Sequence, residues 1–333
     1  MSLKVIKAGI MDSIQDAGRY GRQYLGVNPS GAMDKYAMQV ANVLAGNDRN
    51  DAVIELHFPA SVFLFTSPLM IALAGADFSA SINGEPVPSN HCIVVNRNDV
   101  LQFHRPLNGA RAYLAVRGGI RADEWLQSKS TNLKAAAGGY QGRCLQKDDE
   151  IFTGCLQEEL SFLNKEEFRV LPWAADSKAI SDSSQLLVLP GPEWDIMTEE
   201  AKHTFTTTPF ITTRQSDRMG YRLLNQPLQS KERQEMISSP VCFGTIQLLP
   251  DGKLIVLVAD HQTTGGYPRI AQVITAHHSR LAQLMAGDGA WFTLTDHATA
   301  EELLVKQEKH LQQLQNACTF RLEEYLHAAN HKL

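Results

Sequence analysis

The chain has 333 residues, 44% of them hydrophobic and 20% charged, with a net charge of −5. Disorder, collagen and coiled coil are excluded as the main state by that composition, and a nucleic-acid surface by the lack of a basic excess. Two domains are expected, because single cores stop growing near ~250–300 residues. No apolar run reaches the ~18 residues of a membrane span, and Met1-Ser2-Leu3-Lys4-Val5-Ile6-Lys7 lacks the features of a signal peptide, so a cytoplasmic location is expected.

The first readable helix is capped by Asp34 and runs through Tyr36, Val40, Ala41 and Leu44 to a stop at Gly46-Asn47. Strand-length apolar runs follow at Ser61–Phe65, Leu69–Ala74, Cys92–Asn96, Val100–His104 and Ala112–Val116, separated by breakers such as Asn83-Gly84, Asn108-Gly109 and Gly118-Gly119. This spacing predicts an antiparallel barrel or sandwich instead of βαβ units. A polar stretch near Gln157–Ser184 interrupts the pattern, which restarts at Leu186–Leu189 before Pro190-Gly191-Pro192. The domain junction is therefore placed near residue 180, giving domains 1–180 and 181–333. Further runs occur at Gly244–Leu249, Leu254–Ala259, Ile270–Ile274 and Ala290–Leu294. A long helix is predicted over Thr299 to His327, where Leu304, Leu311, Cys318 and Tyr325 recur every seven residues and Leu314 and Leu322 widen the stripe. It is expected to lie outside the second barrel, packed on its own body or offered to a partner.

The chemistry is less explicit. Five scattered cysteines (Cys92, Cys144, Cys155, Cys242, Cys318) read as reduced thiols, and His277-His278 is the only close histidine pair, so no metal is expected. Phosphate-loop, dinucleotide, zinc-protease and α/β-hydrolase motifs are absent. Three polar, Gly-rich segments remain: Ser13–Gly21, leading into Asn28–Asp34; Arg214–Leu223; and Ala259–Pro268. In the third, Asp260 is a candidate acid or base, Gln262, Thr263 and Thr264 offer neutral hydrogen bonds, and Gly265 and Gly266 can bring N–H groups close to an anion. Arg19 and Arg218 suit a carboxylate or phosphate. Each segment has a plainer reading: Asp34 as a helix cap, Gly265-Gly266 as a hairpin turn, and Asp16–Arg19 and Asp217–Arg218 as turn-fixing pairs.

Taken in order, Gln15-Asp16-x-Gly18-Arg19-x-Gly21, Ser30-Gly31-Ala32-Met33-Asp34, Ser216-Asp217-Arg218-Met219-Gly220-Tyr221-Arg222-Leu223 and Asp260-x-Gln262-Thr263-Thr264-Gly265-Gly266-Tyr267-Pro268 resemble one family. Its members are variously named the C component of 5-oxoprolinase, allophanate hydrolase subunit 2 and biotin-dependent carboxyltransferase, and include the antagonist of the sporulation kinase inhibitor. The chain departs from the family pattern at Gln127-Ser128-Lys129-Ser130-Thr131, at Asp148 and Ala286, and at His277 or His278. The resemblance implies a mainly β fold of two cyclophilin-like β-barrel domains. It also implies partners, the A component of 5-oxoprolinase and a protein like its B component, with ATP as co-substrate in opening 5-oxoproline to glutamate. Within it, Asp260 and Asp16 are the expected catalytic carboxylates. Gln15, Arg19, Arg218, Gln262, Thr263, Thr264, Gly265, Gly266 and Tyr267 are the expected substrate- or phosphate-binding residues. The segments Gln15–Gly21, Ser216–Tyr221 and Asp260–Tyr267 are expected to converge on one cleft. The alternatives are a carboxyltransferase acting on urea or another small amide through carboxybiotin, which would need a separate biotin carrier because no Met-Lys-Met occurs here, and a regulator that sequesters a kinase inhibitor.

Overall fold

The computed structural model describes residues 1–154, 167–176, 185–231 and 236–330. The expected junction near residue 180 and Cys155 lie outside those residues. The fold is mainly β, and the chain forms two compact units. One gathers Met1–Gly18, Asp34–Ser177 and Lys309–Leu333; the other gathers Arg19–Met33 and Lys178–Glu308. Two segments thus depart from the simple division into 1–180 and 181–333: Arg19–Met33 groups with the second unit, and the end of the long helix with the first.

In the first unit two six-stranded antiparallel sheets enclose one core. The strands Glu150–Phe152, Ser2–Lys7, Val62–Phe65, Val100–Phe103, Ala80–Ile82 and Glu85–Pro86 form one sheet. The other runs Arg169–Ala174, His91–Val95, Leu69–Asp77, Asn108–Val116, Val53–His57 and Ser13–Gln15. Alternation explains the packing: Ile54 and Leu56 enter the core with Ile14, Leu73 and Leu114, while Val53, Glu55 and His57 take the opposite face. The helix Lys35–Ala45 begins where Asp34 Oδ1 accepts the Ala37 N–H at 2.9 Å. It ends where Gly46 takes φ 74°, a left-handed conformation that suits glycine. The Asp34 N–H donates to the Tyr113 hydroxyl at 2.7 Å, and that hydroxyl donates to Glu55 Oε2 at 2.9 Å. The cap is therefore tied to a buried hydrogen-bond chain, which supports the plainer reading of Asp34. Burial, with Glu55 and Asp34 beside it, pushes the Tyr113 phenol well above its usual range.

In the second unit seven strands close into a barrel in the order Gln185–Pro190, Arg269–Val273, Thr245–Leu248, Leu254–Leu257, Gly220–Leu224, Phe210–Thr212 and Gly289–Leu294. Closure comes from a parallel pairing of Gln185–Pro190 with Gly289–Leu294, with Leu186 opposite Phe292. The interior is filled by Phe205, Phe210 and Phe292, the first and last stacked with centroids 4.9 Å apart, together with Val188, Val256 and Ile270. Phe205 comes from a helix, Glu199–Thr207, that periodicity did not reveal.

The C-terminal helix spans His297–Asn330. Its stripe is buried at Leu311, Cys318 and Leu322, whereas Leu304 is exposed. Leu322 packs with Met70, Cys92, Val94 and Leu171 of the first unit. The end of the helix thus goes with the first unit and not with residues 181–333, because the apolar stripe matches the outer face of a first-unit sheet. Among the described residues no helix is long and apolar enough to cross a membrane.

Candidate active site

Strand register brings two of the predicted residues together. Gly220–Leu224 runs antiparallel to Leu254–Leu257, with Gly220 opposite Leu257. Just past the ladder the register slips by one residue, which brings Asp260 to Arg218: the Val258 N–H donates to Met219 O at 3.1 Å and the Asp260 N–H to Arg218 O at 2.6 Å. At position 220 a Cβ would lie 2.7 Å from the Ile255 side chain, so glycine lets that side chain pack against the backbone. Asp217 Oδ1 accepts the N–H groups of Met219 and Gly220 at 2.8 and 3.1 Å, fixing the turn that aims Arg218.

The Arg218 guanidinium donates from Nε to Asp260 Oδ2 at 2.9 Å and from Nη2 to Asp260 Oδ1 at 3.4 Å. Nη2 also donates to Gly31 O at 2.6 Å. The Ser30 hydroxyl completes the group by donating to Asp260 Oδ1 at 2.7 Å. Side-chain exposure is 5% for Arg218 and 13% for Asp260, so little solvent screens the pair. Ser30 has φ 55°, uncommon for a residue with a Cβ. The following Gly31, at φ 94°, lets the chain turn its carbonyl toward Arg218.

This geometry revises several expected roles. Arg218 is engaged by Asp260 and Gly31, so it fixes the carboxylate in place. A carboxylate offers about four acceptor positions. Among the described residues Asp260 Oδ2 accepts only the Arg218 Nε–H, leaving a position for a water or substrate N–H. Arg19 is 1% exposed, and its N–H donates to Pro29 O at 2.7 Å, closing the base of the Arg19–Met33 segment. Gly265 and Gly266 do not form an anion-binding turn. Thr264–Gly265 is a short strand paired with Ser239–Pro240, and neither glycine has positive φ. The physical reason for Gly265 is close packing: a Cβ would lie 2.5 Å from Gln247 Nε2. Gln262 is half-buried, Thr263 O accepts the Val241 N–H at 3.2 Å, Thr264 and Gly266 are exposed, and Tyr267 is 44% exposed.

Gln15 and Asp16 belong to the first unit and have partners there. Gln15, fully buried, donates from Nε2 to Ser13 Oγ at 2.9 Å and to Thr131 O at 3.3 Å, while its Oε1 has no hydrogen-bond partner among the described residues. Asp16 Oδ1 accepts from Gly18 N–H at 2.8 Å, from Ser128 Oγ at 2.7 Å and from Ser130 Oγ; Oδ2 accepts the Lys129 N–H at 2.6 Å. That saturation is the signature of a loop anchor. The sequence reading set Gln127–Thr131 apart from the polar segments, yet Ser128 and Ser130 are what hold Asp16. Ser30 was likewise quoted in a motif without a role, although it touches Asp260; a hydroxyl beside a left-handed glycine was the available signal.

Comparison with known proteins bears on the family. The family described as carboxyltransferase domain, subdomain A and B, matches residues 25–294. The chain is 33% identical over 312 residues to the C component of 5-oxoprolinase from Escherichia coli (strain K12), covering 94% of this chain and 97% of that one. It is also 33% identical over 302 residues to the C component of 5-oxoprolinase from Haemophilus influenzae, covering 91% and 94%. The crystal structure of Kluyveromyces lactis urea amidolyase superposes with a TM-score of 0.85 at 27% identity over 94% of this chain, which spans only 20% of that much longer one. The chain belongs to the carboxyltransferase-domain family, subdomains A and B.

Proposed function

We propose that the chain is the C component of an ATP-dependent 5-oxoprolinase, inactive alone and working with the A and B components. One observation carries this reading. The two relatives named as 5-oxoprolinase C components are matched over 97% and 94% of their own lengths, so the likeness runs through nearly all of both. Urea amidolyase is matched over about a fifth of its chain.

The reaction places definite demands on a site. The lactam carbonyl of 5-oxoproline is a poor electrophile; phosphorylation of its oxygen with ATP activates the ring carbon, so that water adds there, the protonated ring nitrogen leaves as the amine to give an acyl phosphate, and a second water releases phosphate and glutamate. Asp260, with an acceptor position left on Oδ2, orients the attacking water and takes its proton. Arg218 and Ser30 hold the carboxylate still, so little reorganisation is needed in the transition state. The family description and the urea amidolyase likeness favour a second reading, carboxyl transfer from carboxybiotin to urea or another small amide. There Asp260 would take a proton from the attacking amide nitrogen.

The two readings separate in one assay. With MgATP and the partner proteins, the first predicts ADP release that depends on 5-oxoproline and ignores urea and carboxybiotin. Dependence on urea and carboxybiotin without response to 5-oxoproline would replace it by the second.

A further inference from the structure

Arg218, one of the two cations expected to hold an anionic ligand, is held by Asp260 and Gly31, and Arg22 offers a further candidate. It lies on the Arg19–Met33 segment, whose base is closed by the Arg19-to-Pro29 hydrogen bond and whose root meets Asp260 through Ser30. The intervening loop buries little of itself. Gly21 and Gly26 take φ 74° and 75° on either side of one 3-10 turn, Gln23–Leu25, that has no buried residue. Tyr20, Tyr24 and Leu25 are 59%, 78% and 60% exposed. Such a loop has low local stability, and its close-set ends make it an Ω-type loop of the kind that often serves function.

Arg22 is half-buried, yet its Nε is fully buried with no hydrogen-bond partner among the described residues. An unmet charged donor is costly and calls for an explanation. A guanidinium satisfies Nε and one Nη together when it grips a planar or tetrahedral oxyanion in bidentate fashion. We propose that Arg22 is the anion-binding side chain of the Asp260 site, taking a small carboxylate or phosphate in the fork of its Nε and Nη atoms. The inference rests on the site of the proposed function and adds its ligand contact. The loop glycines let Arg22 follow the ligand, while Ser30 keeps the loop root on Asp260.

The test is calorimetric titration of the full chain, assembled with its partner proteins, as wild type, Arg22→Gln and Arg22→Lys. The probes are 5-oxoproline, inorganic phosphate and 2-pyrrolidinone, which is the lactam without its carboxylate. Arg22→Gln should weaken at least one of the two anions tenfold or more, with Arg22→Lys intermediate and 2-pyrrolidinone unchanged. The anion affected identifies a carboxylate or a phosphoryl subsite. A thermal midpoint for Arg22→Gln at or above that of wild type is also expected, because a buried unmet donor is removed. Unchanged affinity for both anions in a folded Arg22→Gln complex overturns the assignment, as does failure of the wild-type complex to bind either. Arg22-dependent binding in a complex that does not turn over 5-oxoproline would retain Arg22 as the anion contact and remove the oxoprolinase reading.

Discussion

Ser30 holds a hydrogen bond to a carboxylate and a left-handed backbone at the same time, and the two effects can be measured apart. Ser30→Ala removes the bond to Asp260 and keeps the strain, so a loss of about 1.5–3 kcal/mol is expected. Ser30→Gly also removes the bond but relieves a backbone penalty of about 1–2 kcal/mol, and should be the more stable variant by urea denaturation. Equal stability of the two would refute the account of φ at this position. Arg218→Ala strands a nearly buried carboxylate and should cost about 3–5 kcal/mol. Adding Asp260→Asn should return part of that loss, and strict additivity in the double-mutant cycle would contradict a coupled pair. The ion pair was not legible in the sequence. Asp217 is the nearer acid to Arg218, and only the hydrogen bonds show that Asp217 serves the turn while Asp260, 42 residues on, meets the guanidinium.

At the scale of elements, legibility followed burial pattern. The run Leu254–Ala259 is the strand Leu254–Leu257, and Ala290–Leu294 is Gly289–Leu294. The helix from Asp34 to Gly46 could be read from its cap, its stripe and its stop together. Short edge strands escaped notice because few residues define them. Ser13–Gln15 has one core side chain, and Arg169–Ala174, inside the polar stretch Gln157–Ser184, has the pattern of a half-solvated edge. The stripe of the C-terminal helix was legible, but which unit it covered was not, since a stripe does not name its partner. Leu322→Ala should cost about 2–5 kcal/mol through the cavity left against Met70, Cys92 and Val94; a loss below about 0.5 kcal/mol in a thermal melt would deny that packing. The turn Thr275–His277 carries a second measurable effect. His277 Nδ1 accepts the Leu187 N–H at 2.9 Å, and burial, with Arg280 nearby, lowers its pKa from 6.5 to about 4. A histidine kept neutral in the folded state binds fewer protons there than in the unfolded chain. Its contribution is therefore present above pH 6.5 and is lost as pH falls toward about 4, amounting to about 3 kcal/mol. His277→Gln should flatten the stability profile between pH 4 and 6.5, and an unchanged slope would contradict the assignment.

At the scale of the whole molecule, the resemblance carried the family and the mainly β architecture, while the site had to be read from hydrogen bonds. The double glycine at 265–266 looked like a phosphate turn, yet Gly265 belongs to a short ladder with Ser239 while Gly266 is exposed beside it, because glycine is equally suited to a tight turn and to close strand packing. Asp16 looked catalytic and is held by four hydrogen bonds, from Gly18 and the Ser128–Ser130 loop, whereas Asp260 is held by Arg218 and Ser30. The central claim is that Asp260, held by Arg218 and Ser30, acts in a reaction this chain performs only with partner proteins. The direct measurement is 5-oxoproline-dependent ADP release by the reconstituted complex carrying wild-type or Asp260→Asn chain, with assembly of the variant verified by size-exclusion chromatography. The account predicts no turnover by the chain alone, full turnover with wild type in the complex, and at least a tenfold fall with Asp260→Asn, in line with the ~10²–10³ that one preorganised group typically contributes. Turnover by the isolated chain at the rate of the complex, or an assembled Asp260→Asn complex within twofold of wild type, would contradict it.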